Sequence, residues 1–124
     1  MISVMLVDDQ TLVRQGVRSL LALSDAIDVV AEAADGDQAI EMVPKVRPDV
    51  VLLDMRMPGK SGLDVLRALS ASGELPPTII LTTFDDDELV LAGLKAGARG
   101  YLLKDVSLEQ LVEAVQTVAA GGSL

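Results

Sequence analysis

The sequence contains neither cysteine nor histidine among its 124 residues. Without cysteine the chain can form no disulfide bond and no thiolate metal site. Without histidine it has no serine–histidine or cysteine–histidine catalytic pair and no imidazole metal ligand. Catalysis or metal binding in this chain would therefore depend on carboxylates, hydroxyls and amines.

The chain also lacks an excess of positive charge and long apolar runs. It has 10 Lys and Arg against 19 Asp and Glu, which gives a net charge of −9. Phosphate backbones are bound by Lys and Arg in excess, so direct contact with nucleic acid is disfavoured, whereas cations and basic protein surfaces are favoured. No apolar run approaches the roughly 20 residues that span a bilayer, so we expect no membrane contact. The absence of cysteine is compatible with a cytoplasmic location.

Half of the residues are apolar, which is enough for one domain with a core. The clearest pattern is segment 49–59, in which apolar residues 50–53 run without a break to Asp54, and Pro58 and Gly59 then mark a turn. A short uninterrupted apolar run is typical of a strand buried on both faces of a parallel sheet. This pattern places Asp54 at the carboxyl end of a central strand, where ligands bind in open α/β sheets.

A strand followed by an amphipathic helix recurs five times along the chain. Parallel strands need helical crossovers, and these are right-handed, so the pattern predicts a doubly wound α/β sandwich. Alternating apolar and charged residues place the second strand, which starts near Ile27, at a sheet edge. In the helix after it, Asp35 and Gln38 are expected to form a cap, and Pro44 is expected to end or kink the helix early.

Several polar side chains follow the predicted strands and should meet at one edge of the sheet. Three carboxylates crowded together repel one another, and a hard divalent cation such as Mg²⁺ or Mn²⁺ would offset this in an all-oxygen site. An amine and a threonine hydroxyl nearby suit a phosphoryl group, for which an aspartate can be the nucleophile. The pattern alone does not distinguish the two adjacent threonines. The residues are Asp8, Asp9, Asp54, Thr82 (or Thr83) and Lys104.

These residues and their order resemble the receiver domain of bacterial response regulators, along the whole chain. The matching motifs are the Asp8-Asp9 pair, the loop 54–59, Thr82, and Tyr101 three residues before Lys104. Segments 81–85 and 100–105 are most similar to the NarL/LuxR-type branch. The resemblance implies a flavodoxin-like (βα)5 fold whose five parallel strands have the order 2-1-3-4-5.

The resemblance also implies a role for each site residue. Asp54 would accept a phosphoryl group from a sensor histidine kinase. Asp9, Asp54 and the backbone carbonyl of Arg56 would bind Mg²⁺, with Asp8 acting through water. Lys104, Thr82 and the backbone of Thr83 would bind the phosphoryl group, and Thr82 with Tyr101 would form a switch pair.

The resemblance further implies that residues 1–120 form the receiver domain and that residues 121–124 begin a linker. Phosphorylation would change the surface of the fourth helix, fifth strand and fifth helix, which mediates dimerisation. DNA would be bound only through a C-terminal helix-turn-helix domain, which this sequence does not include. Many receivers carry a proline, often with a cis bond, after the lysine; here Asp105 follows Lys104, so a trans bond is expected.

Two alternative functions remain open at this point. A haloacid-dehalogenase-like phosphatase also uses an aspartate nucleophile, but normally has a second acid two residues later, where this chain has Arg56. A receiver that never takes phosphate could act as a scaffold. The acidic run 85–88 is interpreted as a solvated first helical turn, and Arg56 and Arg99 as surface charges.

Overall fold

The computed structural model describes residues 1–83 and 86–124, in which strands and helices alternate. The elements are β1 (Ile2–Val7), α1 (Thr11–Leu21), β2 (Ile27–Ala33), α2 (Gly36–Val46), β3 (Val50–Asp54), α3 (Gly62–Ala71), β4 (Thr78–Thr82), α4 (Asp87–Lys95), β5 (Gly100–Leu103) and α5 (Leu108–Ala119). Within these residues no helix has the length and apolar character needed to cross a bilayer. The peptide bond between Lys104 and Asp105 is trans, as expected.

The five strands form one parallel sheet with the order β2-β1-β3-β4-β5. This confirms the predicted doubly wound fold, its strand order and the edge position of β2. All five residues of β3 are buried, as the apolar run predicts. Val30 of β2 is an extra residue in the ladder, because Val4 pairs with Val29 and the next residue, Met5, pairs with Ala31.

Two apolar layers enclose the sheet, because successive side chains of a strand point to opposite faces. Val51 and Leu53 pack into the layer covered by α2, α3 and α4. Val50 and Leu52 pack into the layer covered by α1 and α5. Packing on both faces holds the central strand in place, and this fixes the position of Asp54 at its end.

Helix α2 begins as predicted but ends later. Asp35 accepts a hydrogen bond from the backbone N–H of Gln38 (2.8 Å), and the Gln38 side chain accepts one from the N–H of Ala34 (2.9 Å). The helix then passes through Pro44 and ends at Val46, so the prediction of an early end is wrong. Proline removes one intrahelical hydrogen bond. The helix tolerates this loss because Val43, one residue earlier, is fully packed in the core.

The end of β3 and the start of α3 are in close contact at Gly62. The backbone N–H of Gly62 donates to the carbonyl of Met55 (3.1 Å). A Cβ atom at this position would lie 2.5 Å from the carbonyl oxygen of Asp54 and 2.8 Å from the Cα of Met55. Only glycine fits, because both neighbours are backbone atoms that cannot rotate away.

Gly62→Ala is therefore expected to lower the free energy of unfolding by about 1–3 kcal/mol through overpacking. Gly16→Ala is the matched control, because Gly16 lies inside α1 and a Cβ atom added there would have no neighbour within 4 Å. That change should stabilise the helix by up to about 1 kcal/mol. Urea unfolding followed by circular dichroism measures both. Equal stability of the Gly62 variant and the wild type would contradict the proposed close contact.

Candidate functional site

Three carboxylates meet at the carboxyl edge of the sheet, where the sequence places them. β1 and β3 are neighbours, with Val7 opposite Leu53, so the residues that follow them lie side by side. Asp8, Asp9 and Asp54 each place one carboxylate oxygen within 4.8 Å of the others. Asp8 and Asp54 are each only 6% exposed. The arrangement concentrates negative charge in a poorly solvated pocket.

Lys104 brings the compensating positive charge from the far edge of the sheet. Its Nζ lies 3.3 Å from Oδ1 of Asp54 and 3.6 Å from Oδ2 of Asp8. The backbone N–H of Lys104 donates to the carbonyl of Thr82 (2.9 Å), which holds the lysine at the end of β4. One ammonium group thus faces two buried carboxylates, with a third carboxylate, that of Asp9, in the same cluster.

Burial and the surrounding charges together change the pKa of Asp54. Burial is the main reason that the pKa of Asp54 is raised above its usual value, and the charge of Asp8 raises it further. Lys104 and the backbone N–H of Arg56 oppose the shift. When Asp54 is ionised, the protein therefore neutralises its charge only in part, and this favours binding of a cation.

A second set of contacts fixes the turn between β1 and α1. The Asp8 side chain accepts a hydrogen bond from the N–H of Gln10 (2.9 Å), and its backbone carbonyl accepts one from Nη1 of Arg14 (2.7 Å). Nε of Arg14 lies 3.0 Å from the carboxylate of Glu32 on β2, and Arg18 pairs with the same carboxylate. Arg14 therefore connects Asp8 in the turn to Glu32 on the edge strand. Arg18 contacts Glu32 but, among the described residues, not Asp8.

Thr82 and Tyr101 lie on adjacent strands, where Thr82 is opposite Leu103 and Tyr101 is opposite Ile80. Thr82 is the last residue of β4 and is buried; its hydroxyl is 3.2 Å from Oδ2 of Asp86 and 3.1 Å from the carbonyl of Thr83. The side chain of Tyr101 on β5 is 48% exposed. The hydroxyl of Thr82 is thus engaged by the loop that leads to α4.

Asp86 is a site residue that was not predicted from the sequence. It is 5% exposed, and its Oδ1 accepts a hydrogen bond from Nε of Arg56 (2.6 Å). The hydroxyls of Thr82 and Thr83 both lie 3.2 Å from its Oδ2. Its hydrogen bond with Arg56 is the main reason that the pKa of Asp86 lies below its usual value.

These contacts correct one interpretation of the sequence and add a partner to two others. The interpretation of run 85–88 as a solvated turn is wrong for Asp86, and Asp85 lies outside the described residues. Arg56 is a surface charge, as interpreted, because 66% of its side chain is exposed, and its guanidinium also pairs with the buried Asp86. Arg99 is likewise engaged, donating to the carbonyl of Gly121 (3.1 Å). Opposite charges in the loops after neighbouring strands could have indicated the Arg56–Asp86 pair.

Asp54→Asn is expected to raise the melting temperature of the metal-free protein at pH 7. A carboxyl whose pKa is higher in the folded state favours folding when protonated, so its ionisation destabilises the fold as the pH rises above 3.8, the usual pKa of an aspartate. The gain from the substitution should therefore shrink at more acidic pH.

Asp64→Asn provides the contrast, because hydrogen bonds from Ser61 hold the pKa of Asp64 below its usual value. Its substitution should lower the melting temperature at pH 7. Thermal denaturation in the presence of a chelator measures both variants. A lower melting temperature for Asp54→Asn at pH 7 would contradict the assigned electrostatic cost.

Comparison with known proteins gives a consistent result. The family described as "response regulator receiver domain" matches residues 4–116. The nitrate/nitrite response regulator protein NarP of Escherichia coli is 49% identical over 121 residues, covering 98% of this chain and 56% of NarP. The transcriptional regulatory protein LnrK of Bacillus subtilis is 43% identical over 122 residues, again covering 98% of this chain and 56% of the relative.

The chain therefore spans about half the length of these curated relatives. Among solved structures, the signal receiver domain of NarL from Mycobacterium tuberculosis superposes with a TM-score of 0.90 at 38% identity, covering 97% of both chains. These matches, together with Arg56 at the position of the second acid, do not favour the phosphatase alternative. The chain belongs to the response regulator receiver domain family, in its NarL/LuxR-type branch.

Proposed function

We propose that the chain is a phosphorylation-activated switch in which Asp54 accepts a phosphoryl group from a sensor histidine kinase. The observation that carries this proposal is the arrangement around Asp54: a buried carboxylate with the Nζ of Lys104 at 3.3 Å and two further carboxylates in the same pocket. Membership of the receiver family supports it.

The donor set fits a magnesium or manganese ion. Three carboxylates close enough to share one cation offer only oxygen ligands, which hard divalent cations prefer. Asp9, Asp54 and the backbone carbonyl of Arg56 would hold the ion, and Asp8 would act through water. When bound, Mg²⁺ supplies positive charge between the carboxylates and the incoming phosphoryl oxygens.

The chemical step uses a carboxylate oxygen of Asp54. This oxygen attacks the phosphorus of the donor phosphohistidine, an O–P bond forms, and the bond from phosphorus to the imidazole nitrogen breaks with its electron pair left on the donor. Lys104, the hydroxyl of Thr82 and the backbone N–H of Thr83 bind the phosphoryl oxygens. Later attack by water on the acyl phosphate restores Asp54. This hydrolysis releases inorganic phosphate, so the protein assists its own phosphotransfer and dephosphorylation and is not a turnover enzyme.

The switch follows from the added charge, which is about −1.5 to −2 for a phosphoryl group near pH 7. Thr82 moves toward this charge, and the half-exposed ring of Tyr101 packs inward behind it. The surface of α4, β5 and α5 then changes and supports a homodimer. This is a local electrostatic event that biases a two-state element.

The cellular setting is part of the same proposal. We assign residues 1–120 to the receiver domain and residues 121–124 to the start of a linker, since α5 ends at Ala119. DNA binding would belong to a helix-turn-helix domain outside this chain, as in a transcriptional regulator. The setting would be the cytoplasm, where the kinase domain of a sensor and the chromosome are both accessible.

Incubation with acetyl phosphate and Mg²⁺ should add one phosphoryl group to the protein, measured by intact mass. Asp54→Asn should remove the labelling, as should a chelator. Asp64→Asn is the control, because it alters an exposed aspartate of α3 and should label normally. A beryllium fluoride titration followed by NMR tests the site without a phosphodonor. Failure of both would favour the scaffold alternative, and rapid hydrolysis of several phosphate esters would favour an enzyme.

Arg14→Gln is expected to weaken Mg²⁺ binding by about tenfold, because residues behind a metal site orient its ligands. Arg18→Gln is the matched control. It also removes a positive charge that pairs with Glu32, but among the described residues Arg18 does not contact the Asp8 carbonyl. Isothermal titration of the unphosphorylated protein with Mg²⁺ gives both affinities. Equal weakening by the two substitutions would contradict the role assigned to the contact with the Asp8 carbonyl, because loss of a positive charge by itself favours cation binding.

A further inference from the structure

We propose that Asp86 holds the switch in its resting state by competing with the phosphoryl group for the hydroxyl of Thr82. The inference rests on the proposed function of Asp54 and goes beyond it, because it identifies what the phosphoryl group must displace. Asp86 is a positioning residue in this scheme, since it acts through Thr82.

The contacts of Asp86 use both of its carboxylate oxygens. Oδ2 lies 3.2 Å from the hydroxyls of Thr82 and Thr83, and Oδ1 accepts the hydrogen bond from Nε of Arg56 at 2.6 Å. Asp86 and Thr82 are both buried. A hydrogen bond to an ionised acceptor is stronger than one between neutral groups, and here water has little access to replace it.

The competition follows from the donor capacity of threonine. A hydroxyl has a single hydrogen, so Thr82 can donate to one acceptor at a time. While it donates to Asp86, it cannot donate to an oxygen of a phosphoryl group on Asp54. Its other nearby acceptor, the carbonyl of Thr83, also belongs to the loop before α4. Both acceptors therefore favour the resting position.

Arg56 couples this arrangement to the phosphorylation site. It lies two residues after Asp54, its backbone N–H is 3.4 Å from Oδ1 of Asp54, and its guanidinium pairs with Asp86. Asp86 immediately precedes α4, so the ion pair joins the loop of the phosphoacceptor to the helix whose surface is proposed to change. A phosphoryl group on Asp54 brings new negative charge that repels Asp86 and attracts Arg56, and this weakens the pair.

Asp87 supplies a matched control. It follows Asp86 directly, stands in the first turn of α4 and is exposed. Removing either acid changes the net charge and the helix terminus in a similar way. Among the described residues, Asp86 contacts Thr82 and Arg56, whereas Asp87 contacts neither of them.

The test compares Asp86→Ala with Asp87→Ala by titrating each with beryllium fluoride in the presence of Mg²⁺. Asp86→Ala is expected to bind at least about fivefold more tightly than the wild type, a typical coupling between linked sites. Asp87→Ala should bind like the wild type. In a Thr82→Val background, Asp86→Ala should lose most of its effect, and the remainder would come from repulsion between Asp86 and the bound anion. Unchanged or weaker binding by Asp86→Ala, or an equally large effect without the Thr82 hydroxyl, would overturn the inference.

A second measurement uses the free protein and does not depend on phosphorylation. The ¹³C shift of the Thr82 γ-methyl group reports its rotamer and should move in Asp86→Ala but not in Asp87→Ala. An unchanged shift would overturn the inference, whether or not the wild type binds beryllium fluoride. Failure of the wild type to bind beryllium fluoride would count against the proposed function instead. Asp86→Leu, which has a similar shape but no hydrogen-bond acceptor, replaces Asp86→Ala in both measurements if that variant does not fold.

Discussion

The repulsion between Asp8 and Asp54 is the constraint on which this edge of the protein depends. The pairing of β1 with β3 places the two carboxylates side by side, and burial by the sheet prevents water from separating their charges. Lys104 and the backbone N–H groups of Gln10 and Arg56 offset part of the repulsion. The fold thus maintains a locally unfavourable charge arrangement that suits a cation and a phosphoryl group.

Most of the fold and the acidic cluster could be predicted because both follow from local patterns and one topological rule. The apolar run of β3 and the cap formed by Asp35 and Gln38 are visible in the sequence, and both are present in the structure. Since parallel strands end at the same edge, the sequence alone could predict that Asp54 and Lys104 lie close together. The rule that proline ends a helix early failed at Pro44, because packing of α2 outweighed the loss of one hydrogen bond.

The role of Asp86 could not be obtained in the same way. It stands in a run of four acids, and nothing in that run distinguishes Asp86, which turns inward, from Asp87 and Glu88, which face solvent. The distinction comes from Arg56, which is 30 positions away in the sequence, and from the ends of two neighbouring strands. Contacts between loops depend on tertiary structure and carry no periodic signal. The 48% exposure of Tyr101 likewise depends on tertiary packing.

The reach of Lys104 from β5 has a consequence for the order of folding. β5 is an edge strand and the last strand of the chain, so its contacts can form after those of the four strands before it. Until it docks, an intermediate would enclose two carboxylates without the ammonium group that faces them. Such an intermediate would be penalised electrostatically, so we expect closure of the acidic edge to be coupled to completion of the sheet.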